Sequence, residues 1–504
     1  MNKLTITSPR RRRFNLLKER FMGFWSNYKK NKKGLFGIGI IVFFILFAGF
    51  GPYLTENDPV NDWDVGGRRV PPAWFRYLPG NEHLVPNLHP IENVGFSSSD
   101  TINNWDIEPS VHDSIDIDFS QMGYEYGSGT GSLKITLNRD AGMTQNIDLK
   151  ISEDFLWDYD SNPKRFSMNI ALKLEGALGV ILNIDLGLRD AEGVEHILWE
   201  KRLSADSDWF KPEYLVDSYS INVKMKYPDG VFADPASIIF NGTGEYEYFL
   251  KVSFNDIDHD SNVETILYVD DIDLTLKGTS YGLLGTDQWG RDVYSQLAHG
   301  ARISLLVGLL SAIISVSIGL VVGLFAGFMG GMVDEVAMRF ADMLLVIPLL
   351  PLLLILIAIL GQSVWNIIMI ISVLGWMNFS RLIRSQVLSL KERAFIEAAR
   401  ASGGSTIHII LRHILPNVMG LVFVSLATSV PGAITSESAL AFLGLGDPQI
   451  MSWGQMLHDI VFYAAIKELY WVIPPGLCIA LLAVSFVMMG FSLDEILNPR
   501  LRRR

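Results

Sequence analysis

One stretch of the chain combines small, charged and glycine residues in a spacing suited to being held by another protein. The alanines and charged residues favour a short helix, and the glycines that follow can end it. Small alanine faces permit close approach of a partner, and a carboxylate and a guanidinium flank them. The residues in question are Glu397, Ala398, Ala399, Arg400, Gly403 and Gly404, followed by Leu415 and Pro416. The alternative is an ordinary surface helix followed by a proline-terminated loop.

A second cluster of chemically capable residues precedes the next long apolar run. Carboxylates beside an arginine could form a catalytic or ion site, but they more often fix a loop through charge-assisted hydrogen bonds. We therefore expect a structural role for them, and we predict no catalytic residue and no metal site. The cluster consists of Gly285, Thr286, Asp287, Gly290, Arg291 and Asp292.

Two further patterns bear on ligand chemistry. Asp256, Asp258 and Asp260 have the odd-position spacing of a calcium loop, but Ser261 and Leu267 stand where the full pattern needs Gly and Glu. An acidic turn is therefore favoured, and calcium binding stays open. The sequence contains no Gly-x-x-x-x-Gly-Lys-Ser/Thr phosphate loop, so hydrolysis of a nucleotide is not expected of this chain.

The elements that position these residues belong to two parts of very different composition. The chain has 504 residues, a mean hydropathy of +0.25 and 49% hydrophobic residues. Residues 55–280 hold 17 Lys and Arg against 40 Asp and Glu, a net charge of −23, so the remainder of a chain of net charge −12 carries +11. The sequence thus indicates an acidic domain set into a basic membrane protein. Its single cysteine, Cys478, excludes an intrachain disulfide.

Membrane spans are predicted where charged residues disappear, because an ionised side chain at the bilayer centre costs roughly 3 kcal/mol. The third interval is too long for one crossing of about 20 residues, and Gly361-Gln362-Ser363 divides it. Six transmembrane helices are therefore expected. The charge-free intervals are 34–55, 303–333, 343–380, 414–436 and 469–493.

The orientation follows from the distribution of Lys and Arg. Residues 1–33 hold eleven basic residues and one Glu, and residues 381–413 hold six basic residues. With alternating spans, both segments and the basic C-terminus fall on the cytoplasmic side, which places the acidic block outside. The basic start and first apolar run are expected to form an uncleaved anchor.

The acidic block has the pattern of an antiparallel β-sandwich. Its segments alternate apolar and polar residues, and Gly, Asn, Asp or Pro separate them. The last segment resembles the closing strand of jelly-roll modules of the galactose-binding-like type, many of which bind carbohydrate. The predicted strands are 132–137, 166–172, 221–226, 246–253 and 265–276.

These motifs together resemble a known transport family. Glu-Ala-Ala, three residues, Gly and then Leu-Pro is similar to the EAA motif of ABC-type importer permeases. Gly-Thr-Asp-x-x-Gly-Arg-Asp followed by Gly-x-Arg-x-Ser-Leu is similar to the entry signature of the second, or C-type, permease subunit of oligopeptide and dipeptide importers. Glu437–Gly446 and Asn498–Arg502 look like two further blocks of that family. The β insertion departs from the family, whose typical members have a short loop there.

The resemblance implies an α-helical polytopic membrane protein with the type I ABC importer permease fold. It implies that 397–404 is a coupling helix that docks on a cytoplasmic ATPase. The expected domains are a basic cytoplasmic segment (1–33), the first transmembrane helix (34–55), an acidic extracytoplasmic β-sandwich (56–280) and a permease core (281–504) with the coupling loop at 381–413. The implied cargo is peptides.

The resemblance also implies partners. These are a second homologous permease subunit, two cytoplasmic ATPase subunits that use ATP and magnesium, an external solute-binding protein and the lipid bilayer, whereas no cofactor is expected on this chain and no nucleic acid. An oligosaccharide importer of the same family is the alternative cargo assignment. A membrane-anchored sensor or adhesion protein that displays the sandwich is the alternative of another class.

Overall fold

The computed structural model divides the chain into two compact units, residues 1–62 with 293–504, and residues 63–292. We call them the membrane unit and the sandwich unit and describe each by itself. The described residues are 22–23, 25–26, 28–91, 94–110, 114–125, 129–139, 146–177, 180–211, 216–256 and 263–497. The possible calcium loop at 257–262 and the block at 498–502 lie outside them, apart from Asp256 at the end of a strand.

The membrane unit consists of long apolar helices with short polar connections. Within the described residues its helices are α1 Lys32–Phe50, α2 Val293–Met329, α3 Gly331–Val346, α4 Leu349–Leu360, α5 Val364–Gly375, α6 Met377–Lys391, α7 Ala394–Ala401, α8 Thr406–Ile409, α9 Leu415–Leu440, α10 Trp453–Phe462 and α11 Leu469–Leu497. Turns of π-helix, Ile410–Ile414 and Ala441–Leu445, precede and follow α9.

The spans agree with the predicted intervals in place but not in every boundary. In the described part of the chain, five helical segments are long and apolar enough to cross a membrane, or up to six if α3 and α4 together form one span. These two helices meet at 92°, at Ile347-Pro348, because the residue before a proline is pushed out of the helical region. The predicted break at 361–363 is present between α4 and α5. The six-helix count itself stays a prediction.

Helix α2 begins ten residues earlier than predicted. The sequence placed the start of this span at 303, but the helix starts at Val293. The reason is that Arg302, at the predicted boundary, is accommodated within the helix: its Nε donates to the carbonyl oxygen of Ala48, near the end of α1, at 2.6 Å. A charge near a helix end therefore did not end the helix.

The sandwich unit is built from two antiparallel sheets. In the described residues one sheet has the order β1-β4-β10-β6-β7, and the other has the order β2-β3-β11-β5-β8 with β9 pairing on β5. The strands are β1 Asp106–Pro109, β2 Ile115–Ser120, β3 Ser132–Arg139, β4 Ile147–Trp157, β5 Arg165–Glu175, β6 Val180–Arg189, β7 Glu195–Leu203, β8 Ser207–Phe210, β9 Val216–Asp217, β10 Gly244–Asp256 and β11 Val263–Lys277.

The core of the sandwich comes from alternate residues of the central strands. Leu182, Ile184 and Leu186 on β6 are fully buried, and the residues between them are polar or partly exposed. This alternation follows from the two-residue period of a strand, which sends successive side chains to opposite faces. Four of the five predicted strands correspond to β3, β5, β10 and β11.

The predicted strand at 221–226 is wrong. Residues Ile221–Lys224 form one turn of helix, and the hydroxyl of Ser220 accepts a hydrogen bond from the N–H of Val223 at 3.3 Å. A serine that caps the first turn outweighs a short alternating pattern, and only Val223 of this turn is buried.

An ion-pair network lies at one edge of the sandwich unit. The guanidinium of Arg165, on β5, binds the carboxylates of Asp217 and Asp64. Burial alone would raise the pKa of Asp64, but the hydrogen bond and charge of Arg165 outweigh it and lower that pKa below its ordinary value. Asp64 lies in the segment that precedes the first strand, so this network ties that segment to the sheet.

Candidate functional site

The stretch singled out in the sequence contains a short helix, α7, of eight residues. Its C-terminal carbonyls are satisfied by a glycine turn: the N–H of Gly403 donates to Arg400 at 3.0 Å, and the N–H of Gly404 donates to Ala399 at 3.1 Å. Gly403 has φ +81°, a left-handed conformation that disfavours side chains with a Cβ. Residues close together in the sequence therefore determine both the helix and its C-terminal end.

Helix α7 is anchored to the membrane unit by one apolar side chain and one cation. Ile396 is fully buried in an apolar cluster that includes Phe328 of α2 and Ile383 of α6. The guanidinium of Arg400 lies 5.6 Å from the centroid of the Phe328 ring, within reach of a cation–π interaction. The inner face of the helix is thus fixed on the ends of the long helices.

The outer face of α7 is exposed and mixed in chemistry. Glu397, Ala398 and Ala401 are exposed, and the ring of Phe395 is 44% exposed. Aromatic residues are enriched at surfaces that a partner buries, so the exposed ring of Phe395 marks this face as a candidate contact surface. Within the described residues, no hydrogen bond or ion pair engages the carboxylate of Glu397.

The segment after α7 leads into α9 through a π-helical turn. The N–H of Leu415 donates to the carbonyl oxygen of Ile410, and Leu415 packs against the same apolar cluster as Ile396. Pro416 occupies the first turn of α9, where its missing N–H costs nothing. The rings of His408 and His413 lie 5.9 Å apart on this segment.

Helices α5 and α9, which precede and follow the α7 region in the chain, also line a cavity. The cavity has a volume of about 360 Å³ and lies among helices α2, α4, α5 and α9 of the membrane unit. Helix α5 leads through α6 directly into α7, and α9 follows the π-helical turn after it. The residues that line the cavity are Ser311, Ala312, Ser315, Leu349, Leu353, Ile371, Leu374, Gly375, Ser429, Gly432, Ala433, Thr435 and Ser436.

The second predicted cluster lies in the sandwich unit as a tightly hydrogen-bonded loop. The carboxylate of Asp287 is fully buried; its Oδ1 accepts from the N–H of Arg291 at 2.9 Å and its Oδ2 from the side chain of Arg291 at 2.7 Å. Gly285 and Gly290 have φ +73° and +75°. Asp292, which is largely buried, forms a β-bridge with Thr286. These contacts join the cluster into one loop, and its structural role stays a prediction.

This loop is paired with the segment that precedes the first strand of the sandwich. The N–H of Thr286 donates to the carbonyl oxygen of Val70 at 2.9 Å, and the N–H of Val70 donates to the hydroxyl of Thr286 at 3.1 Å. Further on, the N–H of Ala73 donates to Gly282 at 2.9 Å. We call residues 64–73 and 281–292 the clasp. Its residues 281–292, which the sequence assigned to the permease core, lie within the sandwich unit.

Sequence reasoning missed the residues that act through packing. Ile396 immediately precedes the Glu-Ala-Ala motif, but only its contacts with other helices reveal it as an anchor. The serines of the cavity lie on two helices more than 100 residues apart in the chain. Ser311 and Ser315 are four residues apart, and Ser429 and Ser436 are seven apart, which are both ordinary spacings of one helix face. A hydroxyl repeat at 311 and 315, and at 429 and 436, is the signal that the sequence offers.

Comparison with known proteins decides the family. Residues 319–503 match the family described as "Binding-protein-dependent transport system inner membrane component", and residues 20–72 match the "N-terminal TM domain of oligopeptide transport permease C". The dipeptide transport system permease protein DppC of Bacillus subtilis is 37% identical over 220 residues, which cover 44% of this chain and 69% of that protein. The chain belongs to this family of transport-system inner membrane components.

Two more similarities accompany that result. The oligopeptide transport system permease protein OppC of Salmonella typhimurium is 43% identical over 217 residues, covering 43% of this chain and 72% of that protein. A solved structure of the MetNI methionine ABC transporter in inward-facing conformations covers 42% of this chain and 97% of its own, with 18% identity and a TM-score of 0.33.

Membership settles several questions of class. A family member is a multi-pass inner membrane protein and a permease component of a transporter rather than an enzyme. It acts within a binding-protein-dependent system, which removes the sensor or adhesion alternative. The two family matches leave residues 73–318 uncovered, and every described strand of the sandwich falls in that interval.

Proposed function

We propose that this chain is the C-type permease subunit of an ATP-driven ABC importer of oligopeptides or dipeptides. It works with a second homologous permease subunit, two cytoplasmic ATPase subunits and an external solute-binding protein. Both termini and α7 lie in the cytoplasm, and the sandwich lies outside. The peptide cargo is supported by the related dipeptide and oligopeptide permeases.

The observation that carries the mechanism is the connection between α7 and the cavity. Helix α7 exposes one face for a partner, while its other face is fixed by Ile396 on α2 and α6. Helix α5, which leads through α6 into α7, and helix α9, which follows α7 in the chain, both contribute cavity walls. A displacement of α7 by an ATPase therefore moves two walls of the cavity, as alternating access requires.

The ATPase supplies the chemical step, and this chain supplies helix α7, Ala394–Ala401, which we call the lever because it passes the movement on to the cavity walls. Because ATP and magnesium are used on the partner subunits, no side chain of this permease is assigned a catalytic role. The differential contact is made by the exposed face of α7 around Phe395, Glu397 and Ala398, which meets the ATPase differently in its open and closed states.

The test is a charge reversal at Glu397 in the reconstituted complex. Glu397→Lys should lower peptide uptake about tenfold, in the range of coupling energies of 1–3 kcal/mol, while the permease still inserts. Because Glu397 is exposed, folding should be unaffected. Glu392→Lys, an exposed carboxylate just before α7, is the matched control and should stay within about twofold. Normal uptake and peptide-stimulated ATP hydrolysis in Glu397→Lys would remove the coupling assignment.

A further inference from the structure

The cavity among α2, α4, α5 and α9 is lined only by small polar and aliphatic residues. Among its thirteen lining residues, five carry hydroxyls and none carries a charge or an aromatic ring. The hydroxyl residues come from two long helices: Ser311 and Ser315 from α2, and Ser429, Thr435 and Ser436 from α9.

Three of these hydroxyls are not used by the fold. Ser311 contacts the carbonyl of Ile368, and Thr435 donates to the carbonyl of Pro431 within its own helix at 2.9 Å. Among the described residues, by contrast, no hydrogen bond engages the hydroxyls of Ser315, Ser429 or Ser436. A helical serine can satisfy its hydroxyl at the carbonyl four residues earlier, but these three do not, so they remain available to a ligand.

The opening at this point is maintained by glycine. A Cβ on Gly432 would meet nothing within 4 Å, which means that the space before it is empty. A Cβ on Gly375 would meet the hydroxyl oxygen of Ser315 at 2.5 Å. Glycine at 375 therefore lets the end of α5 approach Ser315 on α2, whereas glycine at 432 leaves the cavity unfilled.

We propose that this cavity binds the backbone of a peptide in transit, through the hydroxyls of Ser315, Ser429 and Ser436. This inference rests on the proposed function. Each peptide unit offers one N–H donor and one C=O acceptor, and a serine hydroxyl serves as either donor or acceptor. A row of hydroxyls thus matches a backbone of any sequence, in whichever direction it enters.

The absence of charge in the lining fits the same cargo class. A fixed charge in the low dielectric of the membrane would strongly favour or reject charged peptide side chains. A neutral wall with Leu349, Leu353 and Ile371 beside the hydroxyls instead tolerates peptide side chains of either charge. Sugar sites are commonly built on an aromatic face, which this lining lacks. The volume of about 360 Å³ lies at the lower end of ligand pockets, about 300–1,000 Å³, so a segment of peptide fits.

The first experiment fills the cavity. In proteoliposomes that contain the complete transporter and its binding protein, uptake of a labelled tripeptide is measured for Gly432→Leu. The matched control is Gly39→Leu, because Gly39 also lies inside a transmembrane helix and its Cβ would also meet nothing within 4 Å. Gly432→Leu should lower uptake about tenfold, and Gly39→Leu should remain within about twofold.

The second experiment tests directly whether the permease recognises the peptide backbone. It also keeps the proposal testable if Gly432→Leu fails to assemble. The wild type and a Ser315→Ala, Ser429→Ala, Ser436→Ala triple variant are given a peptide and its backbone N-methylated analogue. The wild type should take up the unmethylated peptide in preference to the N-methylated one. In the triple variant the ratio of the two uptake rates should be about fivefold smaller. Selection by the binding protein is the same for both permeases, so the change in preference reports on the permease alone.

The outcomes separate the two proposals. If the wild type takes up no peptide but takes up oligosaccharides, the proposed function falls and the backbone site falls with it. If the wild type takes up peptides while Gly432→Leu does so normally and the triple variant keeps the wild-type preference, only the backbone site is overturned.

Discussion

At the scale of single residues, the proposed role of α7 as a lever depends on one buried side chain and one glycine. Ile396 fixes α7 to the ends of the long helices, and Gly403 ends α7 with a left-handed turn. The environment of Gly403 is open, since a Cβ there would meet nothing within 4 Å. A substitution at 403 therefore acts through backbone strain and not through a clash.

This distinction gives a sharp prediction. Gly403→Val should strain the turn by about 1–2 kcal/mol and reduce ATP-driven uptake severalfold, because the end of α7 must rearrange. Gly403→Asn, which tolerates the left-handed region, should retain most of the uptake. The measurement is peptide uptake at equal amounts of assembled complex. Equal loss in both variants would show that bulk rather than conformation matters at this position.

At the scale of elements, two ion pairs join α3 to α6. The guanidinium of Arg384 binds both carboxylate oxygens of Asp334, and Arg381 pairs with Asp342. Since α6 leads into α7 and α3 leads into the cavity-lining α4, these pairs extend the connection from the lever to a further cavity wall.

Breaking the stronger of these pairs should weaken coupling. Arg384→Ala removes a pair worth about 1 kcal/mol at a partly exposed site, and uptake should fall about fivefold. The exchange Asp334→Arg with Arg384→Asp should recover part of the loss. Arg339→Ala, which breaks an exposed pair with Glu335 inside α3 alone, is the control. Unchanged uptake in Arg384→Ala would show that α3 takes no part in transmission.

In the sandwich unit, Lys277 at the end of β11 gives a dependence of stability on pH. Burial, reinforced by the charge of Arg165, lowers the pKa of Lys277 to about 8 from an ordinary 10.5. Between those values the unfolded chain binds more protons than the folded one, so the free energy of unfolding rises with pH over this window.

Replacing Lys277 should remove that rise. From pH 8 to pH 10, the wild-type sandwich should gain about 1–2 kcal/mol relative to Lys277→Met, after allowance for screening by solvent. Pulse proteolysis of the full-length protein in detergent, along a urea series at each pH, measures the difference. Parallel curves for the two proteins would contradict the assignment.

How far the sequence predicts these elements depends on whether the signal is local. Charge-free intervals locate the spans, and Gly403-Gly404 predicts the end of α7, because both signals lie in consecutive residues. The turn at Ile221–Lys224 escapes because a single capping serine decides it. The anchor Ile396, the clasp and the serine-lined cavity escape because they arise from contacts between distant segments, which the residue pattern of a single chain does not reveal.

At the scale of the whole molecule, the sandwich is inserted between the two halves of the clasp. The ends of the insertion are adjacent, since Ala73 and Gly282 are joined by a backbone hydrogen bond of 2.9 Å. Adjacent ends permit an insertion, or its removal, with little effect on the surrounding structure. We therefore propose that the clasp folds with or without the sandwich.

Deletion of the sandwich tests this architecture. Replacing residues 80–279 by a short Gly/Ser linker keeps the clasp, and the shortened permease should still co-purify with its ATPase, because α7 and its anchors are untouched. A deletion that also removes residues 64–70 should assemble poorly, because the N–H of Thr286 and the carbonyls of Asp287, Trp289 and Gly290 lose their partners. Equal assembly of both shortened proteins would show that the clasp is dispensable.

The most direct test of the lever is the side of the membrane on which α7 is found. In a Cys478→Ala background, Ala398→Cys on the exposed face of α7 and Glu192→Cys on the exposed β6–β7 turn are treated with a thiol reagent that does not cross membranes. Ala398→Cys should react in inside-out vesicles only, and added ATPase should protect it, whereas Glu192→Cys should react in right-side-out vesicles only. Labelling of Ala398→Cys from the outside, or labelling that the ATPase leaves unchanged, would contradict the account.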